Sequence, residues 1–292
     1  MRTIMGFIPA NFAAASLVPL FFVATVSLAQ SQSANPASGS SSGAPPSTPV
    51  SAATGEELLS KTAKLYYSAS SAGLESFTCL VHPEWREFLL TADKSATIAE
   101  NDPRITQLSG ARISLQADLS GNANVQWSAP SSLESAKLYA NLKTATSQTL
   151  EGFIQFWAPF MNGSMIPDSA SGVEIQPANG GYIIRSVHGQ TATGEFIDTN
   201  LILHQFDLGL GDMTLRFLPV YKTTPQGLLV ASFVSHILPS AASNRQPQEM
   251  HVDLQYQTVN GFPIPANVAI EVVGTGKFHF AFDGCSVQRA AH

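Results

Sequence analysis

In the second half of the chain, hydrophobic positions recur every second residue. In the stretch 250–257, Met250, Val252, Leu254 and Tyr256 fall on one side, and His251, Asp253, Gln255 and Gln257 fall on the other. In 277–283, Phe278, Phe280 and Phe282 oppose Lys277, His279, Ala281 and Asp283. Strict alternation of this kind predicts strands with one buried and one wet face. Strands are predicted over 172–176, 182–188, 195–197, 201–208, 213–221, 227–238, 249–259, 267–273 and 277–287. They are separated by turn residues such as Asn179-Gly180-Gly181, Asn260-Gly261 and Gly274-Thr275-Gly276. Short spacing with no helix-length interruption predicts an antiparallel meander.

Three of these strands carry apolar residues on both sides. Leu201 and Leu203 oppose Ile202 and Phe206. Met213, Leu215 and Phe217 oppose Leu218 and Val220. Leu229, Phe233 and Ile237 oppose Leu228, Val230 and Val234. Such strands call for cover on both faces, from helices on one side and from more protein, a partner or a ligand on the other.

The first half changes period. Helices are predicted over 56–71, 84–90 and 133–160. The last is capped by Ser131 or Ser132 and carries Leu150, Phe153, Ile154, Trp157, Phe160 and Met161 at helical spacing. A strand is expected over 75–81, ended by His82-Pro83, and a hairpin over 111–128. Residues 91–107 are polar and give no clear element. The expected fold is α+β, with a large curved antiparallel sheet, a half-barrel meander, packed on an N-terminal helix and a long central helix. An apolar cavity between sheet and helix is one consequence. Its candidate lining is Phe153, Phe156, Trp157, Phe160, Phe206, Phe217 and Phe233. Ordinary core packing is the other reading of the same rings.

The N-terminal region has a different character. No charge occurs between Arg2 and Glu56, and residues 12–28 are apolar. With Ser27-Leu28-Ala29 following, residues 1–29 read as a signal peptide. An uncleaved anchor is the rival reading. Residues 30–54, rich in Ser, Pro and Ala with Val50 the one large aliphatic, read as a disordered spacer. Residues 55–292 then form one domain in an extracytoplasmic compartment. Cys79 and Cys285 lie in the first and last strand-like runs, which favours a disulfide. A reactive thiol is the alternative, although no CxxC occurs.

Charge narrows the function further. Lys and Arg number 15 against 21 Asp and Glu, and charged residues make up 12% of the chain. An average domain has about 25%. This composition argues against a nucleic-acid partner and, with 44% hydrophobic residues, against disorder of the whole chain. No GxSxG, HExxH, P-loop or post-strand GxGxxG occurs. The polar strand faces pair His251 with Asp253 and His279 with Asp283, and place His236 and Glu271 on strands that could be neighbours. A metal site on the sheet is one reading, a solvated face the other. Glu84 with Asp93, or Asp198 with Asp207, are conceivable carboxylate pairs. His82 belongs either to a cleft rim or to a loop. None of these amounts to a catalytic constellation, a metal site or a cofactor site.

The order of elements resembles the bacterial lipoprotein-carrier superfamily of half-barrel proteins. A helix (EELLSKTAKLYYSAS) leads directly into a strand (ESFTCLV), a helical region interrupts the early strands, and a long meander follows. Near the end, LQYQTVNGFPIPANVAIEV looks like that superfamily's strand, Gly/Pro turn and next strand. The resemblance covers roughly residues 56–292 and implies an acyl chain held between half-barrel and helices. The long central helix and the cysteine pair depart from that pattern. The expected function is therefore an exported, non-enzymatic binding or carrier protein for an apolar ligand: an acyl chain, a lipid or a lipidated protein. The alternative is a structural or protein-interaction module of the cell envelope. Membrane contact is expected only through export or an uncleaved signal, and the sequence does not specify an oligomeric state.

Overall fold

A computed structural model describes residues 50–92, 97–129, 137–162, 165–188, 191–240, 243 and 245–290. The expected signal peptide, most of the expected spacer, Asp93 and the expected capping residues Ser131 and Ser132 lie outside the described residues. The alternating pattern becomes twelve strands in one antiparallel sheet. They are β1 (Leu74–Pro83), β2 (Arg112–Asp118), β3 (Ala123–Ser128), β4 (Val173–Ala178), β5 (Gly181–His188), β6 (Thr191–Asp198), β7 (Leu203–Leu210), β8 (Met213–Thr224), β9 (Gly227–Pro239), β10 (Gln248–Val259), β11 (Phe262–Val272) and β12 (Gly276–Arg289). Their order is β3-β2-β1-β12-β11-β10-β9-β8-β7-β6-β5-β4. The meander therefore ends by pairing its last strand with its first, and the sheet stays open, with β3 and β4 at its edges. Among the described residues four helices accompany it: α1 (Ala52–Ala63), α2 (Trp85–Ala92), α3 (Pro103–Leu108) and α4 (Lys137–Met161). The fold is mostly β, a correction to the more evenly layered α+β expectation.

The long helix lies across the sheet's buried face. Its 25 residues span about 37 Å at 1.5 Å per residue. At one end Tyr139 meets Trp127 of β3 edge-on at 5.7 Å, and Trp127 also donates its indole N–H to Ser147 in mid-helix at 3.0 Å. At the other, Phe160 stacks on Phe233 of β9, with centroids 5.4 Å apart. α4 thus runs from the β3 edge to β8 and β9.

Two of the three strands expected to be apolar on both faces, 201–208 and 227–238, are explained by bulges. Between β8 and β9 the register jumps from Val220↔Ser232 to Tyr221↔Val230, leaving Ala231 without an opposite residue. Between β6 and β7 it jumps across His204. An extra residue shifts the alternation by one, so Val230 and Phe233, or Leu203 and Phe206, both point inward and are buried. What remains outside is modest. Leu218 and Val234 are half-buried, and Val220 is 57% exposed. No second layer covers them among the described residues, which corrects the expectation of cover on both faces.

The N-terminal boundary also moves. Val50 donates its N–H to Ile175 of edge strand β4 at 2.9 Å, and Ser51 caps α1. Residues 50–54 thus belong to the fold rather than to the spacer, because the segment's single large aliphatic residue finds an unpaired strand edge. α1 also ends at Ala63, well before residue 71. Beyond it the chain pairs with β9 instead, through Tyr67 N–H to Leu228 O at 2.9 Å and Leu228 N–H to Leu65 O at 2.7 Å. Gly227 makes that approach possible. Its φ is +124°, and a Cβ there would sit 2.9 Å from the Leu65 carbonyl oxygen.

His82-Pro83 does not break β1, which continues through Pro83 opposite Phe280. α2 then carries on along β12. Glu84 donates its N–H to the His279 carbonyl at 2.9 Å, and Phe88 packs on Phe278 and Phe280. The Asn260-Gly261 turn between β10 and β11 has positive φ at both residues, 50° and 90°, as a two-residue hairpin requires.

Cys79 and Cys285 form a disulfide across β1 and β12, 206 residues apart in sequence. Bridges of this kind belong to oxidising compartments. Replacing both with serine is expected to lower the unfolding free energy by about 2–5 kcal/mol, read from urea denaturation. Reducing the parent protein should reproduce most of that loss. An unchanged urea midpoint in both experiments contradicts a stabilising role for the bridge.

Candidate functional site

The sheet has two faces of opposite character, and the site-forming residues divide between them. The inner face holds all seven aromatic residues singled out in the sequence, and all are buried. Trp157 is central. It donates its indole N–H to the Tyr256 hydroxyl at 3.1 Å, meets Phe77 edge-on at 5.7 Å and stacks on Phe153 at 6.0 Å. Phe156 packs on Phe217 at 5.4 Å, and Phe217 touches both Phe206 and Phe233. These contacts bring the rings together, and the rings fill the space between helix and sheet. The void beside Phe160, lined also by Tyr66, Met165, Ile166, Leu203 and Tyr221, measures about 10 Å³. That holds about one water at most and no acyl chain.

The outer face carries a groove of about 710 Å³ across β1, β12, β11, β10 and β9. Cross-strand register explains its shape. One row across the strands reads His82, Ala281, Asn267, continued by Gln255. The next reads His279, Ala269, Asp253. Each row has an alanine between longer polar side chains, so the methyl groups make a floor and the polar groups make walls. Ala231, the bulged residue of β9, closes one end.

Both histidines of the groove are held by carboxylates. His279 Nδ1 lies 2.6 Å from the Glu87 carboxylate of α2, and His82 Nε2 lies 3.1 Å from Asp283. A carboxylate on one ring nitrogen fixes the tautomer of the neutral ring and leaves the other nitrogen as an acceptor. Asp253, on the opposite wall, has no partner among the described residues.

Several pairings expected from the sequence come out differently. His279 and Asp283 share a face but bind Glu87 and His82 respectively. His236 and Glu271 are separated by β10, whose Glu249 lies between His236 at 3.3 Å and His251 at 2.6 Å. Bonding from His251, then from His236, holds the Glu249 carboxyl below its ordinary value. Asp198 and Asp207 do not face each other. Asp198 accepts from the backbone N–H groups of Asn200 and Ile202 and pairs with His204, while Asp207 accepts two bonds from Arg216. Among the described residues no three His, Cys, Asp or Glu side chains are grouped to hold a metal ion. Of the groove residues, only His82 carries a cleft reading in the sequence. The clustering of His82, His279 and Asp253 depends on strand order.

One titratable group lies on the inner face without a signal in the sequence pattern. Glu195 of β6 sits between Ile184 of β5 and Phe206 of β7, is 2% exposed, and has no hydrogen-bond partner for Oε2. Burial pushes its carboxyl up to about 7, with the Asp207 charge acting in the same direction and Thr193 opposing through a hydrogen bond.

Compared with models of known protein families, the chain matches none, and no curated protein matches it. What fold and groove define is a class by architecture: an open, disulfide-tied antiparallel sheet with a filled interior and a polar groove on its back.

Glu195 makes stability pH-dependent, with a sign that follows from its raised value. Below about pH 4.5 the acid is protonated in folded and unfolded chains alike. As pH rises toward 7, the unfolded chain ionises freely and the buried group does not, so stability falls by on the order of 3 kcal/mol and then levels off. Glu195→Gln should match the parent near pH 4.5 and exceed it at pH 8 in thermal or urea unfolding. A variant that keeps the parent's full pH slope contradicts this assignment.

Proposed function

We propose that this protein is an exported, non-enzymatic binding module of the cell envelope that works through the groove on the outer face of its sheet. The observation that carries the reading is the contrast between faces: a void of about 10 Å³ inside against a groove of about 710 Å³ outside. A volume of that size is in the range of ligand sites. The lining supplies imidazole, carboxamide and carboxylate groups but no nucleophile beside a base, which favours recognition over catalysis. Export is supported by the apolar run before residue 29 and by the disulfide. No helix among the described residues is long and apolar enough to cross a membrane.

The resemblance to lipoprotein carriers is then architectural. An open meander with a helix across one face supports a half-barrel built on the same plan, with the carrier's ligand space occupied by Phe153, Phe156, Trp157 and Phe160. The small void beside Phe160 and the larger outer groove support the interaction-module reading over the apolar-ligand one.

The groove's dimensions define a test. Five strands about 4.8 Å apart give a length of about 20 Å, which six extended residues match. Native mass spectrometry of the full chain after mild extraction should give the protein mass without lipid. Pooled hexapeptides of mixed charge should bind the parent and not Ala281→Trp, whose indole fills the groove floor. Co-purifying lipid, or peptide binding that Ala281→Trp leaves unchanged, overturns the proposal.

A further inference from the structure

We infer that the groove is built for a basic polypeptide segment, an extended stretch carrying lysine or arginine; this rests on the groove reading above and deepens it. The argument begins with what the walls offer. Glu84 and Asp253 line the groove directly, and Asp283 and Glu87 stand behind His82 and His279. Among the described residues no lysine or arginine lines it. Nearby cations are engaged elsewhere: Lys277 with Glu271 at 3.0 Å, Arg216 with Asp207 at 2.8 Å, and Arg86 with the Ile98 carbonyl at 3.2 Å.

Hydrogen-bonding capacity points the same way. With Nδ1 of His279 and Nε2 of His82 given to carboxylates, each neutral ring presents its other nitrogen as an acceptor. Asn267 donates to Gln255 Oε1 at 3.0 Å, which leaves the Asn267 Oδ1 to accept and the Gln255 amide to donate. The carboxylates of Glu84 and Asp253, the two imidazoles and the Asn267 oxygen then set acceptors against the amide donors of Asn267 and Gln255. A lysine ammonium or arginine guanidinium is the complement, having donors and no acceptor.

The floor fits the rest of such a side chain. Ala281, Ala269 and Ala231 offer methyl surface against which an aliphatic stem can lie while its charged head reaches a wall. An acidic segment would meet unpaired carboxylates. A neutral one would leave Asp253 desolvated without a partner. The chain's net charge of −6 adds long-range attraction for a basic partner.

Three capped hexapeptides test this by fluorescence anisotropy on the full chain: alternating Lys/Ala, alternating Glu/Ala and alternating Gln/Ala. The lysine peptide should bind at least tenfold more tightly than the other two and weaken several-fold between 50 and 500 mM salt. Asp253→Lys and Glu84→Lys should each raise its Kd at least tenfold while melting within a few degrees of the parent; if one variant fails to fold, the other carries the comparison. If the glutamate or glutamine peptide binds as tightly as the lysine peptide, and Ala281→Trp removes that binding, the basic-partner inference is overturned and the groove reading stands. If no peptide binds, or Ala281→Trp changes nothing, both fall.

Discussion

The packing of one helical stripe on one sheet face organises the molecule. Trp157, Phe156 and Phe160 project from α4 onto rings that belong to β1, β8 and β9, Phe153 stacks on Trp157, and the Trp157 indole reaches β10 through Tyr256. An open sheet this wide has no barrel closure to hold its strands in place. A helix lying across them ties distant strands together through a single apolar seam. Aromatic rings suit the task because each covers a large area with few rotatable bonds and prefers edge-on or offset contact.

The rings of that seam pack closely, and the void beside Phe160 measures about 10 Å³; the groove lies on the back of the sheet. The back is mostly satisfied. Asp207 meets Arg216, His236 and His251 flank Glu249, and Lys277 meets Glu271. Each exposed pair contributes little to stability. Together they give most of the outer charges a partner on the same surface.

Much of this is legible from residue order. The strands, the meander, the disulfide partners and the ring stripe all follow from period and spacing. The apolar doubling of 201–208 and 227–238 is visible too, but its cause is not. Bulges at His204 and Ala231 shift alternation without leaving a mark in composition, so a phase slip looks like a strand buried on both faces. The carboxyl of Glu195 escapes for a related reason, since whether it faces in or out depends on the phase of β6 against β7. Strand neighbours are the other hidden variable. The Cys79–Cys285 bridge sets β1 beside β12, and with antiparallel pairing counting outward from it brings His82 to within one residue of Ala281, its actual partner. That count alone sets His82 beside the strand segment that carries His279.

Elsewhere on the outer face Asp207 meets Arg216 and Glu271 meets Lys277 across neighbouring strands, and Asp253 in the groove has no such partner among the described residues. In the His279 row, the place between His279 and Asp253 is held by Ala269. In the His82 row, the neighbour is Ala281. The alanines withhold the partner that Asp253 would otherwise have and open the volume in which one could sit. Asp253 shares one row with His279, whose imidazole is held by Glu87. Two alanines and that acid, placed by strand register on adjacent rows, turn the sheet face there into a recess whose walls carry charge and whose floor does not.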